Sequence, residues 1–320
     1  MKPPYQISPK ILKLVSSISE KIGQINAKFL DKPSPKLRKE NRIKTIHSSL
    51  SIEGNTLTEE QITALLENKR VIGPIKDVSE VLNAIKVYND LSSLNPYSQK
   101  SFLEAHKTLM EGLIAQPGVY RTKGVGIVTG DKITHMAPPS GRVLFLMKDL
   151  FDYLEDSDEI ELIKSCVFHY EMEFIHPFVD GNGRMGRLWQ SLILMQSFPV
   201  FEFIPFESII SNTQNDYYSA LSESDKKGIS TPFIEYMLNA IDQSLFDTLS
   251  FKSRTMTSED RTTYFSEITN DKFTRKDYMF VFKDISSATA SRDLKRGVDL
   301  GVFEKDGDKK NTIYKLKIKP

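Results

Sequence analysis

Twelve residues, His176 to Arg187, read HPFVDGNGRMGR and hold one histidine, one carboxylate, three glycines and two arginines ahead of the apolar run Leu188, Trp189, Leu192, Ile193, Leu194 and Met195. Such a run is the body of a buried helix, so the stretch is a loop feeding a helix. Gly181 and Gly183 let the loop backbone approach a ligand or take positive φ. A helix starting near Asn182 or Gly183 aims its unpaired N–H groups and its positive dipole end at whatever the loop holds, which favours phosphate. Arg184 and Arg187, three apart, share a helix face and can grip an extended anion bidentately. Two cations with backbone donors suit a polyphosphate better than a carboxylate. Asp180 is a hard oxygen ligand of the kind magnesium shares with phosphates and water. His176 is the one group here that can take a proton near neutral pH. A zinc site is discounted, because Glu171 and Glu173 between His169 and His176 do not make an HExxH pattern.

Every specified position of the signature H-x-F-x-[DE]-G-N-G-R-x-x-R is present, and the stretch resembles that of the Fic (filamentation induced by cAMP) proteins. The resemblance implies AMP transfer from ATP to a Ser, Thr or Tyr hydroxyl of a target protein. His176 would be the catalytic base and Asp180 would hold Mg²⁺. The amides from Gly181 through Asn182 and Gly183 to Arg184 would cradle phosphates. Arg184 would meet the β-phosphate region and Arg187 the γ-phosphate, with Gly186 counted in the nucleotide-binding set and Phe178 anchoring the loop. Downstream, Asn212-x-x-x-Asp216-Tyr217-Tyr218 resembles a family helix whose tyrosines border the adenosine pocket. Asp225 stands where that pattern carries asparagine.

Upstream, Ser49-x-x-x-Glu53-Gly54 resembles the family's inhibitory motif, whose glutamate pairs with the second signature arginine, here Arg187. A carboxylate already on that guanidinium must be displaced before a γ-phosphate can sit there. The enzyme would then be restrained by its own chain. A hairpin reading falls on residues 123 to 140, where β-formers flank Gly130-Asp131 and prolines 138 and 139 exclude a central strand. A hairpin edge can add an extended strand from a partner. In Fic proteins a flap at this place positions the target hydroxyl, which assigns Thr129, Gly130, Asp131 and Lys132 to target contact.

The elements that must position these groups read as helical. Ile11, Leu12, Leu14, Val15, Ile18 and Ile22 recur at helical spacing, and a basic helix from Leu37 to Ile52 stops at Glu53-Gly54-Asn55. Thr58 to Gln61 form a capping box. Helices over Val143–Tyr153 and Glu161–Glu173 lead into the signature. A polar stretch from Lys252 to Asp260 reads as a linker. Beyond it, Thr274-x-x-Asp277 caps one helix, Ser287 opens another, and Val302–Lys305 with Thr312–Leu316 form a hairpin. The expected division is 1–95, a helical region with the inhibitory motif; 96–250, a Fic-type helical core with a hairpin flap; and 251–320, a linker and winged helix-turn-helix module. The fold class is therefore mainly α.

Composition narrows the function classes. Net charge is +1 over 320 residues, which argues against a chain that is wholly a nucleic-acid binder. Residues 271–320 hold 13 Lys+Arg against 8 Asp+Glu, so a DNA contact by Arg292, Lys295 and Arg296 stays open as an option. Cys166 is the single cysteine, no apolar run approaches a membrane span, and no leader is evident; a cytoplasmic protein without membrane contact is expected. No P-loop or kinase pattern is present. The implied partners are a protein presenting a hydroxyl and a second copy of the chain, since dimers are frequent in the family. Alternatives to AMP transfer are AMP removal, with Glu53 orienting a water; transfer of another nucleotide or of phosphocholine; and a DNA-binding regulator whose Fic core only senses a ligand.

Overall fold

A computed structural model describes residues 3–29, 35–124, 126–129, 132–250, 256–269, 272–307 and 312–317. It is mainly helical, at 68%, in keeping with the helical periodicity of the sequence. Contacts divide the chain into two compact units: residues 1–20 with 42–245, and residues 21–41 with 246–320. Residues 42–95 share a unit with residues 96–245.

In chain order the helices are α1 (Pro9–Phe29), α2 (Pro35–Ser51), α3 (Glu59–Leu66), α4 (Ile75–Asn89) and α5 (Gln99–Leu109). The hairpin strands β1 (Gly126–Thr129) and β2 (Lys132–Met136) follow, then α6 (Ser140–Asp156), α7 (Glu161–Ile175), α8 (Asn182–Ser197), α9 (Phe206–Asn212), α10 (Gln214–Lys227) and α11 (Thr231–Leu249). Helices α7 and α8 are buried nearly all round, polar residues included, and form the middle of the first unit. Where they cross, Gly186 is required: a Cβ there would stand 2.6 Å from the His169 ring. An aromatic cluster of Phe102, Phe151, Phe168, Phe178 and Trp189 fills the space between α5, α6, α7 and α8. The indole N–H of Trp189, buried among them, donates to the Pro96 carbonyl at 2.9 Å.

Sequence signals for the ends of elements hold well. α2 stops at Ser51 and Gly54 takes φ +89°, a value that a side chain rarely adopts. Thr58 and Gln61 make the reciprocal capping box on α3. β1 and β2 pair antiparallel from Gly126↔Met136 to Thr129↔Lys132, with a register shift between Ile127 and Val128. The turn residues Gly130 and Asp131 lie outside the described residues, so of the four flap positions only the backbones of Thr129 and Lys132 are placed.

In the second unit α12 (Ser258–Ile268), β3 (Lys272–Phe273), α13 (Arg275–Val281), α14 (Ser287–Asp299), β4 (Phe303–Asp306) and β5 (Ile313–Leu316) enclose a core of Tyr264, Phe265, Phe273, Tyr278, Phe282, Leu294 and Phe303. The three strands run antiparallel in the order β3-β5-β4. One expectation is corrected here. The polar stretch read as linker to Asp260 already contains the start of α12, which Thr257 and Asp260 cap reciprocally. Part of its polarity is the capping pair Thr257 and Asp260, and the next residue, Arg261, is buried and forms a two-point ion pair with Asp293, with contacts of 2.6 and 3.0 Å.

Candidate active site

The signature loop is held by its own side chains before it holds anything else. α7 ends at His176, whose φ of +49° is left-handed and uncommon for a residue with a Cβ. The chain returns through Pro177 and Phe178 and enters α8 after Gly181, at φ +85°. Asn182 closes the turn: its amide oxygen accepts from the Phe178 N–H at 2.9 Å and its amide nitrogen donates to the Phe178 carbonyl at 3.0 Å. The Phe178 ring lies flat on His106, with centroids 3.5 Å apart. His106 in turn bridges the Asp180 carbonyl at 3.0 Å and the Gly118 N–H at 2.8 Å. Burial holds this imidazole down at about 4, so it stays neutral and accepts from Gly118 through Nδ1.

Around this frame stand the groups that could meet an anion. Asp180 accepts from the Gly181 N–H at 2.6 Å through Oδ1 and, with its side chain 46% exposed, still faces solvent. That leaves the amides of Asn182, Gly183 and Arg184 in the first turn of α8 as donors toward the mouth. The Arg184 guanidinium lies between Asp180 at 3.1 Å and Glu80 of α4 at 3.2 Å. Arg187 is buried and donates to Glu53 Oε1 at 2.8 Å and to the hydroxyl and carbonyl of Ser49 at 3.1 and 2.9 Å. Burial opposes the charge of Arg187, but the Glu53 carboxylate outweighs it, with Glu173 adding to it, and the guanidinium is held above its ordinary value. Glu53 Oε1 stands so close to Gly183 that a Cβ there would meet it at 2.5 Å. The carboxylate therefore occupies the amide end of α8, where an anion is most favoured.

The fold brings Ser49, Glu53, Gly183, Arg184, Arg187 and Asp180 together, with His176 half-buried at the loop's start. Other expected contacts turn inward. Gly186 faces α7 and serves helix packing. Tyr217 is buried, its hydroxyl 3.1 Å from Nε2 of His169, while Nδ1 of that histidine lies 2.6 Å from Gln190. Burial pulls His169 down to about 3, so it is a neutral core residue. Tyr218 is 49% exposed and is the one of the pair that faces solvent. Asp225 accepts from the Tyr170 hydroxyl at 2.9 Å.

Several residues that shape the site carry no motif. Glu80, itself buried, holds Arg184 and accepts from Asn55 at 2.8 Å, two residues after Glu53. Asp77 accepts from the backbone and hydroxyl of Thr56 at 2.8 and 2.6 Å. α4 thus fixes the turn that carries Glu53. Arg121, buried before the hairpin, reaches the carbonyls at the end of α7. The only trace of α4 in the sequence is an apolar periodicity with two acids on its buried side.

Comparison with known proteins gives the family. The family model described as Fic/DOC matches residues 96–194. A crystal structure of a Fic family protein from Desulfovibrio desulfuricans G20 is similar over all of this chain and 99% of its own, at 39% identity and a TM-score of 0.77. The chain belongs to the Fic family. Among curated relatives, protein adenylyltransferase fic-1 of Caenorhabditis briggsae is 32% identical over 62% of this chain and 40% of its own length. Protein adenylyltransferase Fic of Nematostella vectensis is 27% identical over 74% of this chain and 57% of its own. This chain therefore spans about half the length of the curated relatives that it matches.

Proposed function

We propose that the protein is an adenylyltransferase that moves AMP from ATP to a side-chain hydroxyl of another protein and is restrained by Glu53. The observation that carries this reading is the Glu53–Arg187 contact of 2.8 Å placed over Gly183 at the amide end of α8. A carboxylate drawn into a nest of amides and guanidinium marks where a phosphate would bind. The curated relatives named as protein adenylyltransferases give the reaction class.

In this reading His176 takes the proton of the target hydroxyl as its oxygen forms a bond to the α-phosphorus. The bond from that phosphorus to the bridging oxygen breaks, and pyrophosphate leaves. The first-turn amides of α8, with Arg184 and Arg187, hold the negative charge that grows on the leaving group. Arg187 can serve only after Glu53 has swung away. Asp180 fits a magnesium ion: it is a half-exposed carboxylate at the phosphate end of the loop, tied through Oδ1 to Gly181 and Arg184, the sort of single-ligand site that this cation completes with water and phosphate oxygens. When bound, the ion would neutralise phosphate charge. Among the described residues no cluster of three metal-ligating side chains exists, so tight binding without nucleotide is not expected.

The test is incubation of the Glu53→Gly variant with radiolabelled ATP, magnesium and cell lysate. A labelled protein band that disappears with EDTA and with His176→Ala supports the proposal. Release of AMP from a modified protein, with no labelling, would instead make the protein a hydrolase. For the second unit we propose a winged helix-turn-helix, supported by three helices with a β3-β5-β4 sheet and by Arg292, Lys295 and Arg296 exposed on α14. A DNA footprint lost on removing those charges and unaffected by His176→Ala would give it DNA as partner.

A further inference from the structure

Arg121 is 3% exposed, yet its bonding partners are carbonyl oxygens. Its Nε donates to His176 at 2.7 Å and its Nη2 to Ile175 at 3.2 Å, both at the end of α7. The same Nη2 donates to Pro138 at 2.6 Å, just after β2, and Nη1 donates to Lys123 at 2.9 Å, just before β1. Its own backbone N–H donates to Pro177 at 2.8 Å. Burying a guanidinium is costly, and here burial pulls the group below its usual range. These bonds use four of its five N–H directions, a set that neither lysine, with three donors on one nitrogen, nor any neutral side chain reproduces. The hydroxyl of Ser140 adds a weaker tie of the same sort, donating to the Thr122 carbonyl at 2.9 Å.

We propose that Arg121 is a positioning residue that braces both roots of the β1–β2 hairpin against the backbone of His176, and so fixes the gap between a target chain on the hairpin and the imidazole. The inference rests on the adenylyltransferase reading for its functional consequence. His176 is held left-handed, at φ +49°, a conformation that a residue with a Cβ adopts only when its surroundings hold it there. The bond from Arg121 to its carbonyl helps to hold it there. The brace matters differently for two acceptors. A hydroxyl delivered by the hairpin must meet an imidazole at a fixed place, whereas a water molecule goes wherever the imidazole is.

The experiment compares Arg121→Met, Arg121→Lys and Ser140→Ala, each in the Glu53→Gly background, with thermal unfolding checked first. Protein labelling, release of free AMP from ATP by water, and ATP affinity are measured side by side. Arg121→Met is expected to lose about 100-fold in protein labelling, the effect of a misplacement of about 1 Å, and less than tenfold in AMP release. Arg121→Lys recovers part of the loss, and Ser140→Ala, which keeps the fold, loses labelling alone by a few-fold. Equal losses in labelling and in AMP release would overturn the proposal in favour of a merely structural role. A second arm does not depend on the reaction: hydrogen exchange in peptides covering 122–124, 137–140 and 176–178. Faster exchange at all three in Arg121→Met supports the brace, and unchanged exchange overturns it. If the Glu53→Gly parent shows no transfer at all, the functional reading fails while this arm still decides the brace.

Discussion

Replacing Glu53 by glycine should have opposite effects on stability and on nucleotide affinity. The carboxylate lies 2.8 Å from Arg187, whose side chain is 1% exposed, while that of Glu53 is 26% exposed. Breaking a fully buried ion pair costs about 3–5 kcal/mol, because the remaining charge is stranded. Here the partial exposure of Glu53 and the two bonds from Arg187 to Ser49 soften the loss, to roughly 2 kcal/mol. In the intact protein a triphosphate must first displace that carboxylate, so about the same 2 kcal/mol is subtracted from its binding; at 1.4 kcal/mol per tenfold, the variant should bind ATP about 30-fold more tightly. Its melting temperature without ligand should fall by several degrees, and saturating ATP should restore it. Glu53→Gln, which keeps one acceptor for Arg187, should lie between. Calorimetric titration with ATP and magnesium, beside thermal unfolding, reads both quantities. Unchanged affinity in Glu53→Gly, or weaker affinity with a higher melting temperature, would refute the reasoning that the carboxylate stands in a phosphate's place.

Further expectations concern the frame of the site and the second unit. Gly186→Ala puts a Cβ 2.6 Å from the His169 ring between two packed helices, so stability should fall by about 1–3 kcal/mol, read by urea unfolding; an unchanged midpoint would mean that α7 and α8 yield easily. His106 is neutral in the fold at about 4 and would titrate near 6.5 unfolded. Below about 6.5 the unfolded chain binds the extra proton, so this group's contribution is lost as pH falls from 6.5 toward 4. His106→Asn should reduce the pH dependence of the unfolding free energy in that window by about one proton, and an identical slope would contradict the assignment. Asp293→Asn breaks the buried pair with Arg261 and should cost the second unit about 3–5 kcal/mol, seen as earlier proteolysis within residues 256–317, while ATP affinity is unaltered.

The parts of the site legible in the sequence are those where chemistry and backbone are specified within a few residues. Gly181, Gly183, Arg184 and Arg187 fall in one loop and the first two turns of one helix, so their joint placement follows from local geometry. Glu53 was legible through a motif and through the helix stop at Gly54. The supports were not. Arg121 reaches carbonyls 54 and 55 residues away, and Glu80 meets Arg184 across 104 residues. A bond to a backbone carbonyl places no demand on the partner's side chain, so the partner's sequence carries no sign of it. Gly186 and Tyr217 sit at the right spacing for the site but on faces turned to α7, a direction fixed by how α8 and α10 each pack on that helix. In the second unit the capping residues at the start of α12 look like linker, because the same polar residues serve caps and loops.

The measurement closest to the central claim is which phosphate of ATP ends up on protein. With Glu53→Gly and magnesium, ATP labelled at the α-phosphate should mark protein, pyrophosphate should appear in an amount equal to the AMP on protein plus any AMP released to water, and ATP labelled at the γ-phosphate should leave protein unmarked, with His176→Ala abolishing the signal. Protein marked by the γ-label, or α-label transfer that survives His176→Ala, would contradict the account.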